Sequence, residues 1–242
     1  MKLRETSLST KASKRAEHPI VDLDNLTDQL DSGGSGGRVL PLSTPLRADA
    51  FALSASEKID QIEQRFKEIL EILGLDLSDD SLKDTPRRVA KMYVNEIFSG
   101  LDPQNKPEPT LFENPYQYGQ MLVEKDIEVH SYCEHHLVPI IGKAHVAYFS
   151  SGPVVGLSKL NRVVRYFSKR PQVQERLTEQ IAAELKQMLG TDDVAVVIDA
   201  EHFCVKTRGV EDCGSSTTTV HYGGRFTESE VRRELLAHIE RK

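Results

Sequence analysis

Residues 121–136 read Met121-Leu122-Val123-Glu124-Lys125-Asp126-Ile127-Glu128-Val129-His130-Ser131-Tyr132-Cys133-Glu134-His135-His136, and the reading of the fold turns on them. Val123, Lys125, Ile127 and Val129 share one parity in a partly alternating run, which predicts a strand from Met121 to Cys133. Gly142 to Phe149 is a second such run, so Cys133-Glu134-His135-His136 falls on the connection between two strands. That placement constrains its chemistry. A His-Glu-x-x-His protease motif needs a helix to set its histidines on one face, and none is expected here.

The same stretch concentrates metal ligands in a chain with only Cys133, Cys204 and Cys213 as thiols. Zinc takes Cys and His ligands tetrahedrally, and a catalytic site leaves one position open for water. Cys133 and His136, with Cys204 from His202-Phe203-Cys204, would supply three ligands and leave His135 and His202 beside them to move protons. A zinc hydrolase is therefore expected, not a zinc finger. A deaminase of the cytidine type would need Cys-x-x-Cys, and the chain has none. Cys213 reads as a bystander, and His145 and His221 as structural.

Upstream, residues 1–50 lack sustained periodicity and include Ser32-Gly33-Gly34-Ser35-Gly36-Gly37, so a flexible tail is expected, with a short helix near Ile20 to Leu30. Ile59, Ile62, Phe66, Ile69, Leu70 and Leu73 recur at helical spacing, and Gly74 ends that helix. Asp84-Thr85-Pro86 opens another, with Asp84 as the expected cap, and Gly100 closes it. Arg87 and Arg88 lie in its first turn, where cations oppose the helix dipole, so one of them is a candidate for an anion. Residues 51–115 make an N-terminal helical segment and residues 116–242 the main domain.

Downstream, Gly156-Leu157-Ser158-Lys159-Leu160-Asn161-Arg162 turns into a helix with Ser158 as expected N-cap; Lys159 and Arg162 add cations near an end that already favours anions. Pro171 to Leu189 reads as one long helix. Val194 to Ile198 is a strand feeding His202-Phe203-Cys204, and its expected continuation through Arg208 would place His202, Cys204, Lys206 and Arg208 on one face. Ser215 to Tyr222 is a final strand and Ser229 to Ile239 a final helix. The order predicts an α+β domain whose antiparallel sheet carries helices on one side.

Bulk properties agree. The 242 residues are 38% hydrophobic and 28% charged, enough to bury a core. A net charge of -6 argues against general nucleic-acid binding, while a local Arg/Lys cluster can still hold an anionic substrate. No apolar run is long enough for a membrane span, and the basic residues Lys2, Arg4, Lys11, Lys14 and Arg15 precede no apolar signal region. The few, odd-numbered cysteines suit a reducing compartment, and a cytoplasmic protein is expected.

Cys133-Glu134-His135-His136, Gly156-Leu157-Ser158-Lys159, Gln172-Val173-Gln174-Glu175-Arg176-Leu177 and His202-Phe203-Cys204 with Arg208-Gly209-Val210 together resemble GTP cyclohydrolase I in order and spacing. Asp84-Thr85-Pro86-Arg87-Arg88 and Ala90-Lys91-Met92-Tyr93 fit the same family. The resemblance covers residues 56–227. It implies the tunnelling fold (T-fold), with subunit sheets joined in a toroidal oligomer, a homodecamer of two pentamers whose active sites lie between subunits.

The resemblance further implies opening of the imidazole ring of GTP, loss of C8 as formate, and reclosure to 7,8-dihydroneopterin triphosphate, the first step of tetrahydrofolate and pterin synthesis. Zn2+ would be held by Cys133, His136 and Cys204. His202 would protonate N7, His135 would carry a second proton or position water, and Ser158 would assist when the ribose opens. Glu175 and Gln174 would meet the guanine, and Lys159, Arg162, Arg208 and Arg88 the triphosphate. A catalytically silent purine- or pterin-binding protein of the same fold is the alternative, and a redox-sensing pair of Cys133 and Cys204 is another.

Overall fold

Helix α1 (Ala55–Ile72) starts at a capping box, in which the Ser54 hydroxyl accepts from the Glu57 N–H and the Glu57 carboxylate accepts from the Ser54 N–H. A computed structural model describes residues 42–150 and 152–241. The helix expected at Ile20 to Leu30, the Gly/Ser run and most of the expected tail lie outside these residues. Within them, residues 42–53 run along the domain, with Leu42 and Thr44 hydrogen-bonded to Gln180 and Arg170.

Helix α2 (Thr85–Met92) has Pro86 in its first turn, but Asp84 makes no side-chain cap bond and instead lies 3.6 Å from Arg88. Arg87 bridges back to Asp60 and Glu63 of α1 at 2.5 and 2.6 Å. The single helix expected through to Gly100 does not persist. After Met92 it widens into a π-helical turn, Tyr93–Ile97, and then tightens into a 3-10 turn, Ser99–Leu101. The change coincides with a ladder of rings from Phe66 through Tyr93 and Phe98 to Tyr132, with centroids 5.3, 5.3 and 5.8 Å apart. Gly100 closes the ladder against the domain; a Cβ there would lie 2.1 Å from the Tyr166 carbonyl oxygen, so only glycine fits.

The remaining elements are β1 (Leu111–Phe112), β2 (Met121–Cys133), β3 (Pro139–Phe149), β4 (Val154–Val155), α3 (Leu157–Ser168), β5 (Pro171–Gln172), α4 (Gln174–Leu189), β6 (Val194–His202), a single helical turn α5 (Phe203–Lys206), β7 (Thr217–Tyr222) and α6 (Ser229–Glu240). The main sheet runs β5-β2-β3-β6-β7. Neighbours are antiparallel except β5 and β2, which are parallel and pair Cys133 with Gln172. The long helix expected from Pro171 therefore begins only at Gln174. Pro171 and Gln172 are drawn into the sheet edge beside the metal-ligand motif, and Val173 turns the chain as extended N-cap.

Strand parity divides the core. Ala144, Val146 and Tyr148 of β3 face α3 and α4, where Leu160, Val163, Leu177, Ile181 and Leu185 are fully buried. Each such side chain contributes about 1.5–3 kcal/mol by leaving water. Ala147 and Phe149 face the other way and meet Phe226 and Leu235. Helices thus cover both faces, α3 and α4 one and α6 the end of the other, where helices on one side had been expected. No helix among the described residues is long and apolar enough to cross a membrane.

Candidate metal centre and active site

Strand β3 lies between β2 and β6, and its first residues bring two distant segments together. Pro139 pairs with Tyr132 on one side, and Ile140 with His202 on the other. Cys133 thus ends β2, and Cys204 follows β6, at the same margin of the sheet. The Cys133-to-Pro139 connection is closed by the Cys133 N–H donating to the Val138 carbonyl at 2.9 Å and the Leu137 N–H donating to the Cys133 carbonyl at 2.8 Å. Leu137 takes a left-handed φ of 54°, a conformation costly for a branched side chain.

Ligand atoms of Cys133, His136 and Cys204 lie within 4.8 Å of one another, a group able to hold a metal ion. Tetrahedral zinc with Zn–S of about 2.3 Å separates its ligands by roughly 3.5–3.8 Å. The group fits such an ion with shifts of about 1 Å, and its two thiolates and imidazole match zinc's ligand chemistry. Cys133 is buried, with Nδ1 of His135 and of His136 at 3.6 and 4.0 Å from its sulfur. Burial pushes the Cys204 thiol up, and the adjacent Cys133 adds to the effect.

The strand expected to continue through Arg208 instead turns into α5 at Phe203. The shared parity of His202, Cys204, Lys206 and Arg208 is therefore lost. Lys206 pairs with Glu201 at 2.8 Å, while Arg208 still arrives at the site, its Nη1 3.0 Å from Nε2 of His136.

His202 is half-buried. Its Nε2 lies 2.7 Å from Oε1 of Gln174. Desolvation lowers its pKa, with the Glu175 carboxylate acting in the opposite direction. Glu175 itself is exposed in the first turn of α4. Gln174, expected at the guanine, is only 1% exposed, and its Nε2 donates towards Ile198 O, Thr217 O and Thr219 Oγ1 at 3.0, 2.8 and 3.1 Å.

Gly156, not Ser158, is the N-cap of α3, which places Ser158 inside the first turn. Lys159 and Arg162 line a cavity of about 440 Å³ with Arg165, Lys169 and Gly100, and none of the three candidate metal ligands lines it. Lys159 and Arg162 thus line a cavity that the metal group does not, whereas Arg208 stands at His136 itself. The side chain of Arg88 is 67% exposed and has no partner closer than Asp84 among the described residues.

One pair escaped the sequence reading: Arg176 of α4 forms an ion pair with Glu134, inside the Cys-Glu-His-His motif. The four-residue spacing put Gln172, Arg176 and Gln180 on one face of the expected helix, but no local signal joined Arg176 to Glu134 across 42 residues. His145 and His221 take structural places, the first beside the Asp126 N–H and the second at 2.9 Å from Glu179.

A sequence model described as GTP cyclohydrolase I matches residues 62–240. GTP cyclohydrolase 1 of Flavobacterium johnsoniae is 56% identical over 216 residues, covering 89% of this chain and 97% of that protein. That of Vibrio parahaemolyticus is 54% identical over 197 residues, with 81% and 90% covered, and that of Aeromonas hydrophila 54% over 201 residues, with 83% and 91% covered. The match spans β2, α3, α4 and β6, the elements that carry the ligand group and its neighbouring histidines, and the chain belongs to the GTP cyclohydrolase I family.

Proposed function

We propose that this protein hydrolyses GTP, opening the imidazole ring, releasing C8 as formate and forming 7,8-dihydroneopterin triphosphate. The observation that carries the reading is the convergence of Cys133, His136 and Cys204, with His135 beside Cys133 and His202 ending the strand that leads to Cys204, in a chain more than half identical to proteins named GTP cyclohydrolase 1. Zinc is the metal these residues would hold. When bound, it supplies a Lewis acid that lowers the pKa of a coordinated water to about 7.

The chain's own groups then divide the work. His202 gives a proton to N7 of the purine, making C8 electrophilic; histidine suits this because its pKa lies near the working pH. His135 carries the second proton or positions water, and the Ser158 hydroxyl assists ribose opening. Glu175 accepts from N1–H and the 2-amino group of guanine together. Gln174 acts through His202, holding the ring from behind. Lys159, Arg162 and Arg208 bind the triphosphate, with Arg88 added from another subunit.

The T-fold and a toroidal homodecamer belong to the same reading. Two features support it: the cation-lined cavity and the metal group lie apart within one chain, and β7 ends the sheet with an unpaired edge among the described residues. A second subunit's sheet would continue that edge and bring its cations to the metal. A tail over residues 1–50, a helical segment over 51–115, a catalytic domain over 116–242 and a cytoplasmic location complete the proposal.

The test is to incubate zinc-replete protein with GTP, following formate and the fluorescence of the oxidised pterin beside Cys204→Ala. Formate from the wild type and none from the variant is expected. A folded, zinc-loaded protein that binds GTP without releasing formate would leave the silent binding protein as the better reading.

A further inference from the structure

We infer that Gln180, Gln172 and Arg176 are positioning residues for the turn that carries Cys133 and His136, and that the strap at Leu42–Thr44 anchors them. The inference rests on the metal-site reading above and extends it to residues outside the ligand group.

Gln172 and Gln180 are 0% and 5% exposed, and a buried amide with no partners is costly. Here both are fully used. Gln180 Nε2 donates to the Leu42 carbonyl at 2.8 Å and towards Thr44 Oγ1 at 3.3 Å. Its Oε1 accepts from Gln172 Nε2 at 2.8 Å, and the second hydrogen of that amide goes to the Phe167 carbonyl at 2.9 Å. With both hydrogens committed, Gln172 can only offer Oε1 onward, and it accepts from Arg176 Nε at 3.1 Å.

Arg176 then donates through Nη2 to the Pro171 carbonyl at 3.1 Å and to the Glu134 carboxylate. The other oxygen of Glu134 lies 3.9 Å from Nε2 of His135. Glu134 is tied a second time, its N–H donating to the Gln172 carbonyl at 2.9 Å. The residue between Cys133 and His135 is thus held by its backbone to Gln172 and by its side chain to Arg176, which itself donates to the Gln172 side chain. Each donor in the chain has one direction, so no amide can flip without breaking two bonds.

The strap end is itself anchored. Thr44 Oγ1 also accepts from Arg170 Nη1 at 3.1 Å, and Arg170 is stacked 4.5 and 4.6 Å from the centroids of Tyr166 and Phe167 while donating to the Gly100 carbonyl at 2.8 Å. Apolar packing alone would need no amides here; methionines of similar volume would fill the space. What the amides add is a fixed path from residues 42–44 to the carboxylate beside His135. Partners outside the ligand shell commonly govern metal affinity in this way.

The experiment uses the full chain as wild type, Arg176→Lys, Gln180→Met, Gln180→Glu and Thr44→Val. Zinc affinity is measured by competition with a chromophoric chelator, and the visible spectrum of the Co2+-loaded protein reports ligand geometry without reference to turnover. Arg176→Lys is expected to weaken zinc about 10- to 100-fold, and each Gln180 variant about 10-fold, with altered cobalt bands. Gln180→Glu is decisive, since its carboxylate still accepts from Gln172 but cannot donate to Leu42. Thr44→Val, remote and partly exposed, should shift the cobalt bands in the same direction with circular dichroism unchanged. If the wild type binds both ions tightly and the variants match it, the positioning role is overturned. If Gln180→Glu and Thr44→Val match the wild type while Gln180→Met does not, the strap's part is overturned. A wild type that binds neither ion would overturn the metal-site reading itself.

Discussion

Oε1 of Gln174 lies 2.7 Å from Nε2 of His202, and the Gln174 amide nitrogen is turned away towards Ile198 O, Thr217 O and Thr219 Oγ1. Three acceptors around the nitrogen leave the oxygen for the imidazole, so His202 Nε2 is the donor and carries a proton. Nδ1 is then the nitrogen left to face a reacting group, and in the proposed role it gives a proton to N7 only from the doubly protonated ring, which the Gln174 oxygen orients from behind.

Gln174→Met should therefore lower kcat about 100-fold, the scale of a misplaced catalytic group, with little change in KM for GTP. It should also cost stability, about 1–3 kcal/mol for the buried carbonyls left without donors, read by thermal unfolding. A variant with raised KM and unchanged kcat would return Gln174 to direct contact with the guanine.

Glu175 stands exposed beside that histidine. Two charge-assisted bonds to N1–H and the 2-amino group, at about 1.5–3 kcal/mol each, predict that ATP, which has no donor at N1, is not turned over. Glu175→Gln should lower kcat/KM for GTP about 10- to 100-fold through loss of one such bond's worth of energy. Comparable turnover of ATP and GTP by the wild type would remove Glu175 from this role.

The group of candidate metal ligands was legible because its residues are local to strand ends. Cys133 ends β2 where alternation stops, and His202 ends β6. What the sequence misplaced is set by long-range pairing. Gln172 follows a proline and precedes a helix, yet β2 draws it into the sheet edge through Cys133. The turn at Phe203 could not be told from a continuing strand, because Phe203-Cys204-Val205 is as β-prone as the run before it. Ser158 has a good capping side chain, but the extended residue before the helix is Gly156. Asp84 likewise turns to Arg88 and leaves the first turn of α2 uncapped.

His145, which the sequence marked only as structural, carries a pH prediction. It is buried, and its Nδ1 accepts from the N–H of Asp126 at 3.3 Å, where β2 bulges and Asp126 takes a φ of 57°. Desolvation lowers its pKa; Asp126 and Asp199 oppose this in part, and Lys125 and Lys143 reinforce it. A folded pKa below the unfolded value of about 6.5 means that the unfolded chain binds the proton first. Stability is then full above about pH 6.5 and falls, by up to about 1.4 kcal/mol per pH unit for this one group, until the folded pKa is reached. His145→Asn keeps an acceptor near the Nδ1 position and does not titrate. Urea midpoints at about pH 7.5 and about pH 5.5 should differ less for the variant than for the wild type. Equal differences would assign the acid sensitivity to other groups.

Removal of the metal should change the chemistry of the two cysteines as well as activity. Cys133 and Cys204 belong to a group whose ligand atoms lie within 4.8 Å, so their sulfurs can meet once no ion separates them. In a Cys213→Ser background, which removes the exposed third thiol, chelated protein exposed to glutathione disulfide should lose both remaining thiols. The two thiols give up two protons and two electrons to the glutathione disulfide, leaving one protein disulfide and two glutathione thiols. Zinc-loaded protein should keep both thiols, since coordination holds them as thiolates already committed to the ion. Activity of the oxidised form should return with zinc only after a reductant is added. If zinc alone restores full activity to protein that has lost both thiols, Cys133 and Cys204 are not the ligands on which formate release depends.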